Sequence, residues 1–181
     1  MSDLGVEWWS VGISGDSEST VSQPEHEEGP QLNLLGSHRH ALDGKRRVAI
    51  PKLFREAVHS TLGNEGYVLC RQLGGDNCLA LYPQASFDAA LNKLEAMRTQ
   101  ALGIGSKAIR SYLRRIRMSA TPVAPDKQGR ITLGEEQCQL AGIEREVVFV
   151  GCGDHAEVWA PSELEPSDGE DFHLLAQQLF G

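Results

Sequence analysis

Hydrophobic positions in the middle of this chain fall into short extended runs and helical stripes that repeat. Residues 38–42 and 47–50 read as two extended runs, parted by Asp43-Gly44-Lys45-Arg46, whose Asp and Gly suit a tight turn. Pro51 then opens a helix over 52–61, with Leu53, Phe54, Ala57 and Val58 on one stripe. Residues 67–71 and 78–82 flank a turn at 74–77, the pattern of a β-hairpin. The period changes to helical over 85–118. Ser86 is expected to cap a helix carrying Phe87, Ala90, Leu91, Leu94 and Met97 along one side; Gly103 and Gly105 interrupt it. Ser106 is expected to start a second helix, whose apolar face is Ile109, Tyr112, Leu113 and Ile116 and whose Arg110, Arg114, Arg115 and Arg117 lie mostly off that face.

The first pattern then returns. Asp126-Lys127-Gln128-Gly129-Arg130 and the following Ile131-Thr132-Leu133 restate Asp43-Gly44-Lys45-Arg46-Arg47 and Val48-Ala49-Ile50, displaced by 83 positions. A short helix over 135–141 should end at Gly142, residues 146–150 match 67–71, and 156–159 match the strand ending at Leu81-Tyr82. The chain therefore divides into an acidic tail (1–35), a first half-domain (36–84), a helical connector (85–118), a second half-domain (119–163) and an acidic C-terminal tail (164–181). The first 35 residues are too polar to offset chain ordering and are expected to be disordered. Their Trp8-Trp9 island reads either as a docking motif or as an extension without an ordered role.

Charge sharpens this division. The net charge is −8, yet residues 1–35 and 161–181 contain no Lys or Arg, so the span 36–160 holds all 17 basic residues and is net positive by 4. An acidic total with a basic centre is compatible with phosphate contact, and also with an ordinary mixed-charge domain. No apolar run is long enough for a membrane span and no signal peptide is present, so a cytoplasmic protein without membrane contact is expected.

Each copy carries Asp-x-x-x-Arg across its turn. Asp43 and Asp126 can hold the turns by accepting backbone N–H groups. Arg47 and Arg130 open the outgoing strands with a donor fork suited to phosphate or to a guanine edge. The alternative is that each Asp and Arg simply pair on a solvated hairpin. Lys45 and Arg46 make the first turn three consecutive cations.

The segment from His40 to Arg55, reading His-Ala-Leu-Asp-Gly-Lys-Arg-Arg-Val-Ala-Ile-Pro-Lys-Leu-Phe-Arg, resembles the first signature of MraZ proteins. The second half resembles the family through Asp126 to Arg130, Leu140-Ala141-Gly142-Ile143, the run from Glu146 to Gly151, and Glu157-Val158-Trp159; coverage is from about Gly36 to about Glu163. The resemblance implies an α+β, β-rich fold of two SpoVT-AbrB half-domains of the swapped-hairpin type. It also implies homo-oligomeric rings that bind direct repeats of double-stranded DNA upstream of the division and cell wall gene cluster, in association with the nucleoid. Carried over by motif, the DNA contacts are Lys45 and Arg47 in the first turn, with Arg130 as the second-copy equivalent and Lys127 as a weaker neighbour; Arg46, which departs from the motif, adds a further candidate phosphate contact to the first turn. Three departures stand out: Arg46 occupies a position the family usually gives to Gly, Leu133-Gly134 replaces a second Ile-Pro, and Gln137 stands where the first copy has Phe54. The competing reading is a protein-interaction or antitoxin-like module in which DNA contact is secondary.

An enzyme is poorly supported: no Gly-rich phosphate loop or serine elbow is present, and no cofactor or small-molecule substrate is expected. His38 and His40 lack an acidic or Cys ligand at metal spacing, and His59 and His155 read as isolated, so no metal is expected. Cys70, Cys78, Cys138 and Cys152 contain no CxxC pair and read as small apolar residues. A bridge between Cys70 and Cys78 is conceivable only in an oxidising compartment.

Overall fold

The computed structural model describes residues 31–64, 66–72, 74, 76–164 and 177–179. Most of both expected acidic tails, with Trp8 and Trp9, lies outside the described residues. In chain order the elements are β1 (Ser37–Ala41), β2 (Arg47–Ala49), α1 (Lys52–Leu62), β3 (Tyr67–Arg71), β4 (Leu79–Pro83), α2 (Gln84–Gln100), α3 (Ile104–Ser119), β5 (Thr121–Val123), β6 (Arg130–Thr132), α4 (Glu135–Leu140), β7 (Glu146–Gly151) and β8 (Ala156–Trp159).

The strands form a six-stranded antiparallel sheet, ordered β1-β7-β8-β4-β3-β5, and a two-stranded ribbon of β2 and β6. The fold is thus the duplicated, β-rich α+β architecture expected of an AbrB-like chain, and its halves are exchanged. The first strand of each half lies on the hairpin of the other: β1 pairs with β7, and β5 with β3. Adding 83 to the residue numbers of β1 and β2, 80 to those of β3 and 77 to those of β4 yields β5, β6, β7 and β8 with every pairing preserved. The halves are therefore related by a pseudo-two-fold axis, which passes through the two pairs formed between equivalent positions, Val48 with Ile131 and Ala80 with Glu157.

This register corrects one match made from sequence. Residues 67–71 correspond to 147–151 rather than 146–150, so Tyr67 is the counterpart of Val147 and Leu69 that of Phe149. A one-residue slip would turn every side chain to the wrong sheet face. The core confirms the choice, since Tyr67, Leu69, Val147 and Phe149 are all buried in one cluster.

That cluster fills the space between one sheet face and a cover built from the ribbon, α1 and α4. Val48, Ile50, Ile131 and Leu133 come from the ribbon and its exits, Phe54 and Val58 from α1, and Cys138 and Ala141 from α4 or its end. On the opposite face, Val68, Cys70, Ala80 and Tyr82 are covered by Phe87 of α2 and Ile116 of α3. Two cap expectations fail. α2 starts directly after Pro83, and α3 after Gly103 at φ +59, so Ser86 and Ser106 both lie inside helices and Gly105 is helical. Proline fixes the φ that a first helical turn needs, so the helix begins without a side-chain cap. Leu34, grouped by composition with the N-terminal tail, is 3% exposed and bridges to Gly153.

A paired cationic turn as candidate nucleic-acid interface

The ribbon buries one face and presents the other. Val48 and Ile131 are each 1% exposed. By the alternation of a strand, Arg47, Ala49, Arg130 and Thr132 share the opposite face. The strands are joined to their neighbours by a matched pair of backbone bonds, Ile50 N–H to the Gly129 carbonyl (2.9 Å) and Leu133 N–H to the Arg46 carbonyl (3.0 Å).

The two turns have the same hydrogen-bond plan. Asp43 Oδ1 accepts the backbone N–H groups of Lys45 (2.8 Å) and Arg47 (3.0 Å), and Asp126 Oδ1 accepts those of Gln128 (2.8 Å) and Arg130 (3.0 Å). The main chain adds Arg46 N–H to the Asp43 carbonyl (2.9 Å) and Gly129 N–H to the Asp126 carbonyl (2.8 Å). Each aspartate thus accepts two backbone N–H groups of its own turn. The closing position is left-handed in each copy, at Arg46 (φ +56) and Gly129 (φ +76); Arg46 is the one positive-φ non-glycine among the described residues.

The Asp-Arg pairing weighed as the alternative reading is also present. Arg47 donates to Asp43 Oδ2 through Nε at 2.7 Å, and its Nη2 forms an ion pair with the same oxygen at 2.7 Å. Arg130 donates to Asp126 Oδ2 through Nε (2.9 Å) and Nη2 (2.8 Å), and its Nη1 lies 3.7 Å from Asp43 Oδ2. The four groups form an interlocked chain across the axis. The guanidinium and the backbone donors hold the Asp43 carboxyl well below its ordinary range and bring Asp126 to about 2, while Asp43 raises Arg47 further. Both aspartates are therefore ionised at neutral pH.

The remaining cations are looser. Lys45, Arg46 and Lys127 are exposed, and among the described residues neither lysine ammonium makes an ion pair. Arg46 reaches Glu135 Oε2 at 3.6 Å. Superposing the copies sets Lys45 against Gln128 and Lys127 against Gly44, so Lys127 flanks the second turn rather than duplicating Lys45.

Arg55 belongs to this surface although the sequence reading gave it no role. Its guanidinium covers Gly129, where an added Cβ would meet Cζ at 2.5 Å. The counterpart of Arg55 is Cys138, whose thiol feels the charge of Arg46. A large helix residue thus sits over the glycine turn and a small one beside the arginine turn. Two family departures are similarly coupled: Gly134 has an N–H that Pro51 lacks, and Gln137 Oε1 accepts it at 3.0 Å.

Comparison with known proteins follows the same span. The chain matches a family model described as "MraZ protein, putative antitoxin-like" over residues 34–102 and 116–166. It is 40% identical over 152 residues to a protein of Thermomicrobium roseum named "Transcriptional regulator MraZ", covering 81% of this chain and 96% of the relative. Proteins of the same name from Symbiobacterium thermophilum (33% over 148 residues; 80% and 99%) and Cutibacterium acnes (36% over 133 residues; 73% and 84%) are similar over nearly the same extent.

Proposed function

The chain belongs to the MraZ family, and from that premise we propose that it regulates transcription by gripping duplex DNA with the paired turns of its ribbon. The observation that carries this reading is the duplication of one Asp-braced cationic turn on an outward face, with the braces interlocked across the pseudo-two-fold axis. A rigid turn presenting Lys45, Arg46 and Arg47 loses little entropy when it meets phosphates, because the backbone is already fixed. Arg47 spends Nε and one Nη on Asp43, which leaves further guanidinium N–H groups to donate outward. Arg130 is more committed, contacting both Asp126 and Asp43, and it serves as the weaker second-copy contact beside Lys127.

One such surface binds weakly, and tandem promoter repeats call for several surfaces on one scaffold. Self-assembly into a homo-oligomeric ring is supported by apolar side chains left in water on the helical connector: Leu102 (90% exposed), Ile104 (89%) and Met118 (80%). Among the described residues no helix is long and apolar enough to cross a membrane, in keeping with a cytoplasmic, nucleoid-associated regulator. The relatives' shared name supports regulation rather than catalysis.

The test is binding to the chain's own upstream DNA by fluorescence anisotropy. Arg47→Ala is expected to weaken binding by about 10- to 100-fold, the loss of a charge-assisted contact, with the far-ultraviolet spectrum unchanged. Affinity should fall steeply as salt is raised. Binding by Arg47→Ala equal to wild type would overturn the proposal. The words "antitoxin-like" in the family description favour a second reading, in which a protein partner is primary. Capture of one stable partner without retention of promoter DNA would select it.

A further inference from the structure

A second constellation lies on the sheet seam, away from the ribbon. Cys152, His155 and Glu157 bring a thiol sulfur, an imidazole nitrogen and a carboxylate oxygen within 4.8 Å of one another. The reading of His155 as isolated is thereby corrected, because the β7–β8 turn folds it back onto Cys152. Cys152 N–H donates to the His155 carbonyl at 2.9 Å, with Gly153 between them at φ +78. Glu157 stands on the pseudo-two-fold axis opposite Ala80. The counterparts of Cys152 and His155 in the first copy are Gln72 and Cys78, so the triad is peculiar to the second copy.

His155 is held as a ligand would be. Its Nδ1 lies 2.7 Å from Asp154 Oδ1, and its ring stacks on Tyr82 at 4.4 Å with an interplanar angle of 16°. With the Nδ1 proton donated to Asp154, Nε2 carries a lone pair, and among the described residues Nε2 is buried without a hydrogen-bond partner. A carboxylate that orients a histidine and fixes its tautomer is the arrangement found behind metal-bound imidazoles. A buried nitrogen left unpaired otherwise carries a free-energy cost with no return. The Glu157 oxygens accept Gln72 Nε2 (3.0 Å) and Trp159 Nε1 (2.9 Å), which orients the carboxylate, and the Cys152 thiol hydrogen-bonds the same carboxylate.

We propose that Cys152, His155 and Glu157 form a site for one thiophilic divalent cation of the zinc class, with an open fourth position facing solvent. Ligand bonds of about 2.0–2.3 Å in a tetrahedron require donor separations of about 3.3–3.7 Å, so the triad closes on the ion by roughly 1 Å of side-chain adjustment. Binding forms the sulfur–metal bond and releases the thiol proton to solvent, with no change of oxidation state. The site would clip the β7–β8 turn to the seam that joins the halves.

The experiment uses the full chain, reduced and stripped of metal, with Zn²⁺ measured against a chromophoric chelator and Co²⁺ as the spectroscopic probe. Expected are one equivalent bound and a thiolate-to-cobalt charge-transfer band in the near ultraviolet. Cys152→Ser should abolish the band and weaken Zn²⁺ binding at least 100-fold. Asp154→Asn, which disturbs only the orienting partner, should weaken it by about 10-fold or more, and Cys138→Ser should change nothing. His155→Gln, checked for folding by circular dichroism, replaces Cys152→Ser if that variant does not fold. A wild-type chain that gives no charge-transfer band, or a band that survives Cys152→Ser, would overturn the proposal. Binding through other histidines alone gives no such band and counts against it equally.

Discussion

Arg46 holds a left-handed backbone, φ +56, that a side chain disfavours by roughly 1–2 kcal/mol. Its counterpart is Gly129, so the strain is local to one copy and is not a requirement of the turn. Arg46→Gly is therefore expected to stabilise the chain by about 0.5–1 kcal/mol, part of the relief being offset by the greater freedom of glycine in the unfolded state. Thermal unfolding should rise by about 1–4 °C while DNA affinity at low salt falls. A lowered midpoint would refute the strain account. The reverse exchange, Gly129→Ala, should be destabilising through φ +76, while the Arg55 guanidinium that meets the new Cβ is the far end of a flexible side chain and can swing aside.

The same turns set a pH response. Asp43 and Asp126 have carboxyls depressed from an ordinary 3.8, Asp126 to about 2 and Asp43 further, by Arg47 and Arg130 in turn. A depressed group contributes stability that is complete above its unfolded value and is lost as pH falls through its folded one. Both turns should hold from neutral pH down to about 4; the Asp126 turn loosens between about 4 and 2, and the Asp43 turn over a range that continues further into acid. Carboxyl carbon shifts of the two residues report this directly; a titration midpoint near 4 for both would remove the bracing from the argument.

At the scale of elements, the turns were legible because their chemistry is local: an Asp and an outgoing Arg declare themselves within five residues, although the left-handed position is marked by glycine only in the second copy. The match of β3 to β7 was not, because the segment from β6 to β7 is shorter than that from β2 to β3, and the spacing drifts from 83 to 80 before falling to 77 across the shorter β7–β8 connection. Nothing in composition announces that β1 crosses to β7, which is a tertiary choice. The Cys152-x-x-His155-x-Glu157 spacing was visible in the sequence, but only the turn that reverses the chain there makes it a cluster. Leu34 was concealed in the same way, since its place is set by Gly151. There a Cβ would lie 2.5 Å from the Leu34 backbone carbon, so the close approach requires glycine. Gly151→Ala should therefore displace the Leu34 segment and cost about 2–4 kcal/mol, comparable to truncating a buried leucine. Chemical denaturation of the variant measures it, and a loss below about 0.5 kcal/mol would mean the segment moves aside freely.

For the molecule as a whole, the exchanged strands make each half incomplete. Residues 36–84 alone would keep β3 and β4 but leave β1 without β7, β2 without β6 and the far side of β4 without β8. The axis supplies the remedy. Val48 already faces its own counterpart and Ala80 faces the position equivalent to itself, so two copies of the first half can restore the ribbon and the seam with the same register. The first half expressed alone is accordingly expected to fold only on dimerising, with helical and strand signals that grow with concentration and a light-scattering mass of two copies. Glu157, which stands where the first half has Ala80, makes the second half the poorer self-partner, because two such carboxylates would meet across the seam as like charges. A first half that folded as a monomer, or a second half that paired with itself equally well, would show that the exchange of strands does not hold the molecule together.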